Sequence, residues 1–472
     1  MFKSKKSSLS SRSRLLRVES LEPRLTLAAN PITLVPSPTF AEIHGRAFSA
    51  TVAVFSDSDQ DTVASDFSAQ INWGDGTTSA GTITRVTSSF RVTGQHVYAT
   101  TGARQITVAV QDVDGAAASD VHFITTNLTT DPGSGLKASF TDANLKNPWG
   151  IAFSSTGPFW LSAAGTGKAV SYNYDGSKAV FVTDSKGVKH NLVINVPAAP
   201  PNVTGSPLGV VLNATSGFIV NPLSDPHPAT YLFSTSDGLI AAWNSQLGIL
   251  DSSTAKVVVN GSASGAMYTG LAIGSVGTTN YLYAANAHTG TIDVFDTTFQ
   301  KVASTTLAGA FTDPALPSGY VPQDIKNIGG KLYVTYATPG LAAVGNGVVD
   351  IFNTNGTLVG ELAGQGSLDL PWGMALAPAN FGAYGNALLV ANTGNGTISA
   401  FNASTGTFLG QMTSFNGSTL VISGLHDLQF GDGFQGRKTT DLFFTAGTSG
   451  GADGLFGRIN FFAASGTTVV VR

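Results

Sequence analysis

The chain is 472 residues long, beyond the size at which one core keeps growing, so more than one domain is expected. With 55 glycines and only 11% charged residues, it has the composition of short strands joined by tight turns rather than of a helix bundle. Cysteine is absent, which excludes disulfides, thiolate metal sites and cysteine nucleophiles, and the net charge of −4 is unevenly spread.

Residues 1–29 carry Lys3, Lys5, Lys6, Arg12, Arg14, Arg17 and Arg24 against Glu19 and Glu22, a net of +5, which leaves −9 on the remainder. No basic face follows that would track a phosphate backbone, so nucleic acid is not an expected partner. No apolar stretch is long enough to span a bilayer. Leu25-Thr-Leu-Ala-Ala29 is also shorter than the apolar stretch of an ordinary signal peptide. The Ser/Arg/Lys-rich head reads as an export or sorting leader, with a disordered basic tail as the plainer alternative. The phrase Arg17-Val-Glu-Ser-Leu-Glu-Pro-Arg24, continuing through Leu25-Thr-Leu27, resembles the LEPR-x-L-L leader of exported planctomycete-type bacterial proteins. Thr26 departs from it where a second Leu is common. The resemblance implies an extracellular or cell-surface location on a bacterium.

Residues 31–127 read as a small all-β domain. Phe48, Ala50, Val52 and Val54 alternate on one strand, and Ile106, Val108 and Val110 on another. The turn Trp73-Gly-Asp-Gly76, then His96-Val-Tyr98, Gly102 and Asp112-Val-Asp-Gly115, resembles the PKD domain, an immunoglobulin-like sandwich. That resemblance implies a spacer or adhesion module without catalysis. Asp75, Asp112 and Asp114 are candidate cation ligands, with turn-closing hydrogen bonds as the plainer reading. His96 and Tyr98 read as packing residues.

Residues 128–135 read as a linker, and 136–472 carry a sixfold repeat. Its units open on Asn147-Pro-Trp-Gly150, Pro207-Leu-Gly209, Tyr268-Thr-Gly270, Pro322-Gln-Asp324, Pro371-Trp-Gly373 and Gly424-Leu-His-Asp427. A period of about 50–60 residues, each unit made of short strands, predicts propeller blades. The third strands align as Thr291-Ile-Asp-Val-Phe295, Val348-Val-Asp-Ile-Phe352 and their equivalents. Outer strands are expected at 179–182, 256–259, 301–307, 358–362 and 407–412. Ring closure is expected either from 467–471 or from 136–141, with the N-terminal segment favoured. The predicted fold is thus all-β, an Ig-like (PKD) sandwich followed by a six-bladed β-propeller, and the chain reads as a monomer.

In such blades the start of the inner strand and the turn between the second and third strands share one face, where convergent polar groups form ligand sites. The candidates there are Trp149, Tyr268, His288, Gln323, Asp324, Trp372, His426 and Asp427. Trp149 and Trp372 also suit plugs between blades, and His288 suits a surface turn. His426 and Asp427 can line the channel together only if the backbone bulges. No metalloprotease, nucleophile-elbow or P-loop pattern occurs.

The stretches Asn147–Gly150, Pro201–Gly209, Ala285–Phe295, Gly319–Gly329, Leu370–Gly373 and Ala391–Ile398 resemble an uncharacterised family of exported bacterial proteins with an NHL-like six-bladed propeller. Members of that family often carry a PEP-CTERM tail. The sequence departs from that pattern in ending on Thr467-Thr-Val-Val-Val-Arg472 without a Pro-Glu-Pro box, so any sorting information is expected in the leader. The family has no assigned activity. The expected function is a non-catalytic binding or structural role toward an extracellular ligand, carbohydrate or protein. The alternative is a metal-dependent lactonase or lyase with a divalent cation such as Ca²⁺ in the channel, for which Asp324, Asp427 and Gln323 are a thin ligand set.

Overall fold

A computed structural model describes residues 33–35, 47–56, 63–73, 75, 77–86, 89–99, 106–112, 122–220, 226–249, 251–303, 305–364, 366–414, 418–462 and 467–471. The leader at 1–29, together with Gly102 and Asp114, lies outside the described residues.

The first part of the chain forms one seven-stranded sheet that includes Phe48–Ser56, Phe67–Asn72, Thr78–Val86, Ser89–His96 and Ile106–Asp112. Phe67–Asn72 alternates buried and exposed, the pattern of a strand with one face on a core. Phe55, Ile71, Trp73, Val92 and Val108 meet in that core. Asp75 closes its turn by accepting from the Thr77 amide (3.0 Å) and hydroxyl (2.6 Å), and it pairs with His96 Nε2 at 2.8 Å. These bonds hold its carboxyl down at about 2. His96 in turn stacks on Trp73 (4.7 Å), and the Tyr98 hydroxyl donates to the Trp73 carbonyl (3.0 Å). All three residues are committed to packing and turn closure.

The rest of the chain forms six larger sheets in a propeller-like ring. Their inner strands are Pro148–Phe153, Pro207–Leu212, Tyr268–Val276, Val321–Ile328, Pro371–Leu376 and Leu425–Phe430, here blades 1 to 6. Each inner strand touches the next, and the sixth returns to the first. Six buried clusters fill the gaps between neighbouring blades; Tyr333, Val349, Met374 and Phe401, for example, join blades 4 and 5. Because both faces of a blade are covered, middle strands such as Phe159–Ala163 and Tyr231–Thr235 are buried throughout, with no alternation of buried and exposed positions.

Closure comes from the N-terminal side, the favoured route, but chiefly through a strand that precedes 136. His122–Thr130 pairs antiparallel with Leu455–Phe462 as the fourth strand of blade 6, and Phe140–Thr141 lies parallel beyond it. The stretch read as a linker from 128 thus begins inside this strand, because Thr129 and Thr130 are buried and locked to the ring. Thr130 Oγ1 donates to the Gly454 carbonyl at 2.9 Å, and Asp131 accepts from the Gly454 amide at 3.1 Å. Thr467–Val471 does not complete blade 6 but pairs with Ile106–Asp112 in the first sheet. Two outer strands also depart from expectation. The fourth strand of blade 1 is Val193–Asn195, with Ser252–Thr254 parallel beyond it, while Val180–Thr183 forms a separate hairpin with Lys189–Asn191. In blade 3 the chain makes a single bridge at Phe295–Lys301 and then leaves the sheet, so among the described residues that blade has three strands.

Candidate functional site

Every inner strand carries a register shift near its start. In blade 6, Leu425 faces Ala446 and Leu428 faces Phe444, so His426 and Asp427 together oppose Thr445. The extra residue leaves an amide out of the ladder, and a hydroxyl from the second strand satisfies it. Asp427 N donates to Thr445 Oγ1 (3.1 Å), Asp324 N to Thr335 Oγ1 (3.0 Å) and Gly209 N to Ser234 Oγ (3.0 Å). Two of these hydroxyls donate onward to the neighbouring blade, Thr335 to the Trp372 carbonyl (3.1 Å) and Thr445 to that of Trp149. The bulges therefore serve as rivets between blades.

The bulged position is occupied by Gly150, Gly209, Gly270, Asp324, Gly373 and Asp427 in turn. At four of the six the inner strands approach too closely for a side chain. A Cβ on Gly270 would lie 2.2 Å from Asp324 Oδ1, and one on Gly373 would lie 2.5 Å from the Asp427 Cα. The two acids are thus the side chains admitted at this layer, and both are buried.

Lys326, two residues beyond Asp324 on the same strand, crosses the channel. Its ammonium donates to Asp427 Oδ1 and, at 3.0 Å, to the Leu428 carbonyl. Asp427 also accepts from the Ile151 amide (3.0 Å) and the Leu428 amide (2.7 Å). Burial raises the Asp427 carboxyl, while Lys326 and these amides oppose it. Asp324 is raised well above the carboxylate range by burial, with neighbouring Asp427 adding to the effect. Its Oδ2 has no hydrogen-bond partner. With the Lys326 ammonium bound to Asp427 and both Asp427 oxygens engaged, the cluster does not fit a hard-cation cage, which needs several free oxygens.

Above this layer, Trp149, Trp372 and His426 pack together. His426 lies 3.6 Å from Trp149 in a near-parallel stack, and the two indoles meet edge-on at 5.3 Å. His426 Nδ1–H donates to the Pro148 carbonyl at 2.7 Å, and burial pushes the imidazole down to about 4. Trp372 is 3% exposed, so its ring plugs the blades and presents no stacking face.

The remaining candidates do not join either group. The Tyr268 hydroxyl donates to Asp293 Oδ2 (3.1 Å) within blade 3, Gln323 Nε2 donates to the Val321 carbonyl (3.1 Å) of its own strand, and His288 is exposed in its turn. Below the acids, the channel opens into a cavity of about 360 Å³ lined from five of the six inner strands by Ile151–Phe153, Val210–Leu212, Leu271–Ile273, Lys326, Asn327 and Gln429. Sequence reasoning missed Lys326, although Asp324 and Lys326 alternate on one face of a strand.

No family model matches the chain. Two uncharacterized proteins of Acanthamoeba polyphaga mimivirus are similar to it. One is 27% identical over 350 residues, covering 72% of this chain and 79% of the relative. The other is 28% identical over 333 residues, covering 68% and 82%. These viral relatives overturn the placement at the surface of a bacterium and point to a viral origin. Among solved structures, an auxiliary nutrient binding protein from Bacteroides thetaiotaomicron is 10% identical, covers 91% of this chain and 98% of that one, and gives a TM-score of 0.46. A streptogramin B lyase is 13% identical with a TM-score of 0.43, covering 73% of this chain and 99% of that one.

Proposed function

We propose that the protein is a non-catalytic binding protein. In this reading the lower channel mouth takes a small uncharged ligand rich in hydrogen-bond acceptors, of the carbohydrate class, and the N-terminal sheet is a PKD-like spacer. One observation carries the reading: Lys326, at the floor of a cavity of about 360 Å³, is neutralised by Asp427 yet keeps a side chain 19% exposed. An ammonium has three donors, and Asp427 and the Leu428 carbonyl use two of them. Asn327 and Gln429 add polar edges to aliphatic walls, the mixture typical of small-molecule sites.

The lactonase or lyase reading asks Asp324 and Asp427 to hold a cation, a charge that Lys326 already supplies there. The binding reading is tested by calorimetry with glucose, galactose, N-acetylglucosamine and maltose on the wild type, Gln429→Ala and Lys326→Met. At least one sugar is expected to bind the wild type and to bind Lys326→Met at least about tenfold more weakly, one lost hydrogen bond to a charged group. Absence of binding by the wild type, or equal binding by a folded Lys326→Met, contradicts it.

A further inference from the structure

Blades 3 and 4 carry an aspartate at the same place in the repeat. Asp293 faces Ala284 two residues before Phe295, and Asp350 faces Val334 two residues before Phe352. Both are buried, at 5% and 0% exposure. Their surroundings are opposite in charge. Asp293 is met by the Lys301 ammonium at 2.9 Å and accepts from Tyr268 and Asn286, each at 3.1 Å. Asp350 has no hydrogen bond at either oxygen.

Its neighbours are instead acids. Glu361 stands directly across the ladder on the fourth strand of blade 4, and Asp313 reaches in from the connection between blades 3 and 4. One carboxylate oxygen from each residue lies within 4.8 Å of the other two. Asp313 also accepts from the Ala315 amide at 2.8 Å, which fixes its turn. Among the described residues, no Lys, Arg or His forms an ion pair with any of the three. A buried carboxylate without a partner is strongly disfavoured, and two further carboxylates beside it deepen the deficit.

A cation relieves it, and the geometry says which kind. All donors are oxygens, which selects a hard ion over zinc or copper. The three oxygens, all within 4.8 Å of one another, suit calcium, which takes six to eight oxygens at about 2.3–2.6 Å in a flexible shell, better than magnesium, which demands a near-ideal octahedron. We propose that Asp313, Asp350 and Glu361 form a Ca²⁺ site on the outer half of blade 4 that ties the connection between blades 3 and 4 to the blade. Water and backbone carbonyls complete the shell. The site is separate from the channel and does not depend on what the mouth binds.

The test uses the full chain, freed of metal by chelation and titrated with CaCl₂ by calorimetry alongside thermal unfolding. One saturable site and a rise in unfolding temperature are expected. Affinity should fall at least about tenfold in Asp350→Asn and in Glu361→Gln, and should be unchanged in Asp293→Asn, whose carboxylate already has its lysine. In chelator, Asp350→Asn should unfold at the same or a higher temperature than the wild type, an outcome that simple misfolding would not give. Should Asp350→Asn fail to fold, Glu361→Gln carries the same expectation from the exposed side of the cluster. The proposal is overturned if the wild type shows no saturable binding up to about 10 mM Ca²⁺, or if binding survives in Glu361→Gln and folded Asp350→Asn alike.

Discussion

His426 illustrates how a residue that looks catalytic becomes structural. Its imidazole is sandwiched against Trp149 and tied to the Pro148 carbonyl, and burial lowers it from the ordinary 6.5 to about 4. Above pH 6.5 neither the folded nor the unfolded chain protonates this group. Between 6.5 and 4 only the unfolded chain does, so stability falls as pH falls, by up to about 3 kcal/mol, and levels off below 4. Urea unfolding at pH 7 and pH 4 should show this loss in the wild type beyond that of His426→Gln, since other groups titrate alike in both. Equal losses would contradict the assignment of a neutral buried imidazole.

At the scale of the element, the bulge and its hydroxyl are the recurring device. Thr335 both accepts from the Asp324 amide and donates to the Trp372 carbonyl, so Thr335→Val strands a buried donor and a buried acceptor. A loss of about 2–4 kcal/mol is expected in denaturant unfolding, against less than about 1 kcal/mol for Thr335→Ser. Gly373→Ala should cost about 1–3 kcal/mol, because its Cβ would meet Asp427 backbone that cannot yield. The repeat made these strands legible: the Asn147, Tyr268 and Pro371 phrases mark inner strands, and the shared Ile-Asp-Val-Phe pattern marks third strands. What the repeat hid was the direction of each side chain. Trp149 and Gln323 hold equivalent places in the repeat, yet one stacks on His426 of the neighbouring blade and the other bonds the Val321 carbonyl of its own strand. The acids at 324 and 427 were visible as exceptions in a row of glycines, but Lys326, which sets their chemistry, comes from a different blade than its partner.

For the whole molecule, the chain closes its ring with a strand that comes before the repeat. His122–Thr130 was hidden because it belongs to no repeat unit and borders the first sheet in sequence. A fragment beginning at 136 leaves Leu455–Phe462 as an open edge and exposes Phe123 and Leu128 partners, whereas one beginning at 122 keeps the ring whole. The longer fragment should unfold in one cooperative transition, and the shorter should melt earlier and aggregate through that edge. Equal melting temperatures for the two would show that closure does not rest on this strand.

Lys326 commits the channel carboxylate Asp427 to structure, which in the proposed function leaves binding to the mouth. The most direct measurement is a double-mutant cycle on stability with Lys326→Met and Asp427→Asn. Each single variant leaves a buried charge without its partner and should lose about 3–5 kcal/mol, while the double variant should recover much of that loss, giving a coupling of at least about 2 kcal/mol. A coupling near zero, with the two losses simply adding, would mean that Asp427 stands free of Lys326, and the structural assignment of the channel acids would fall.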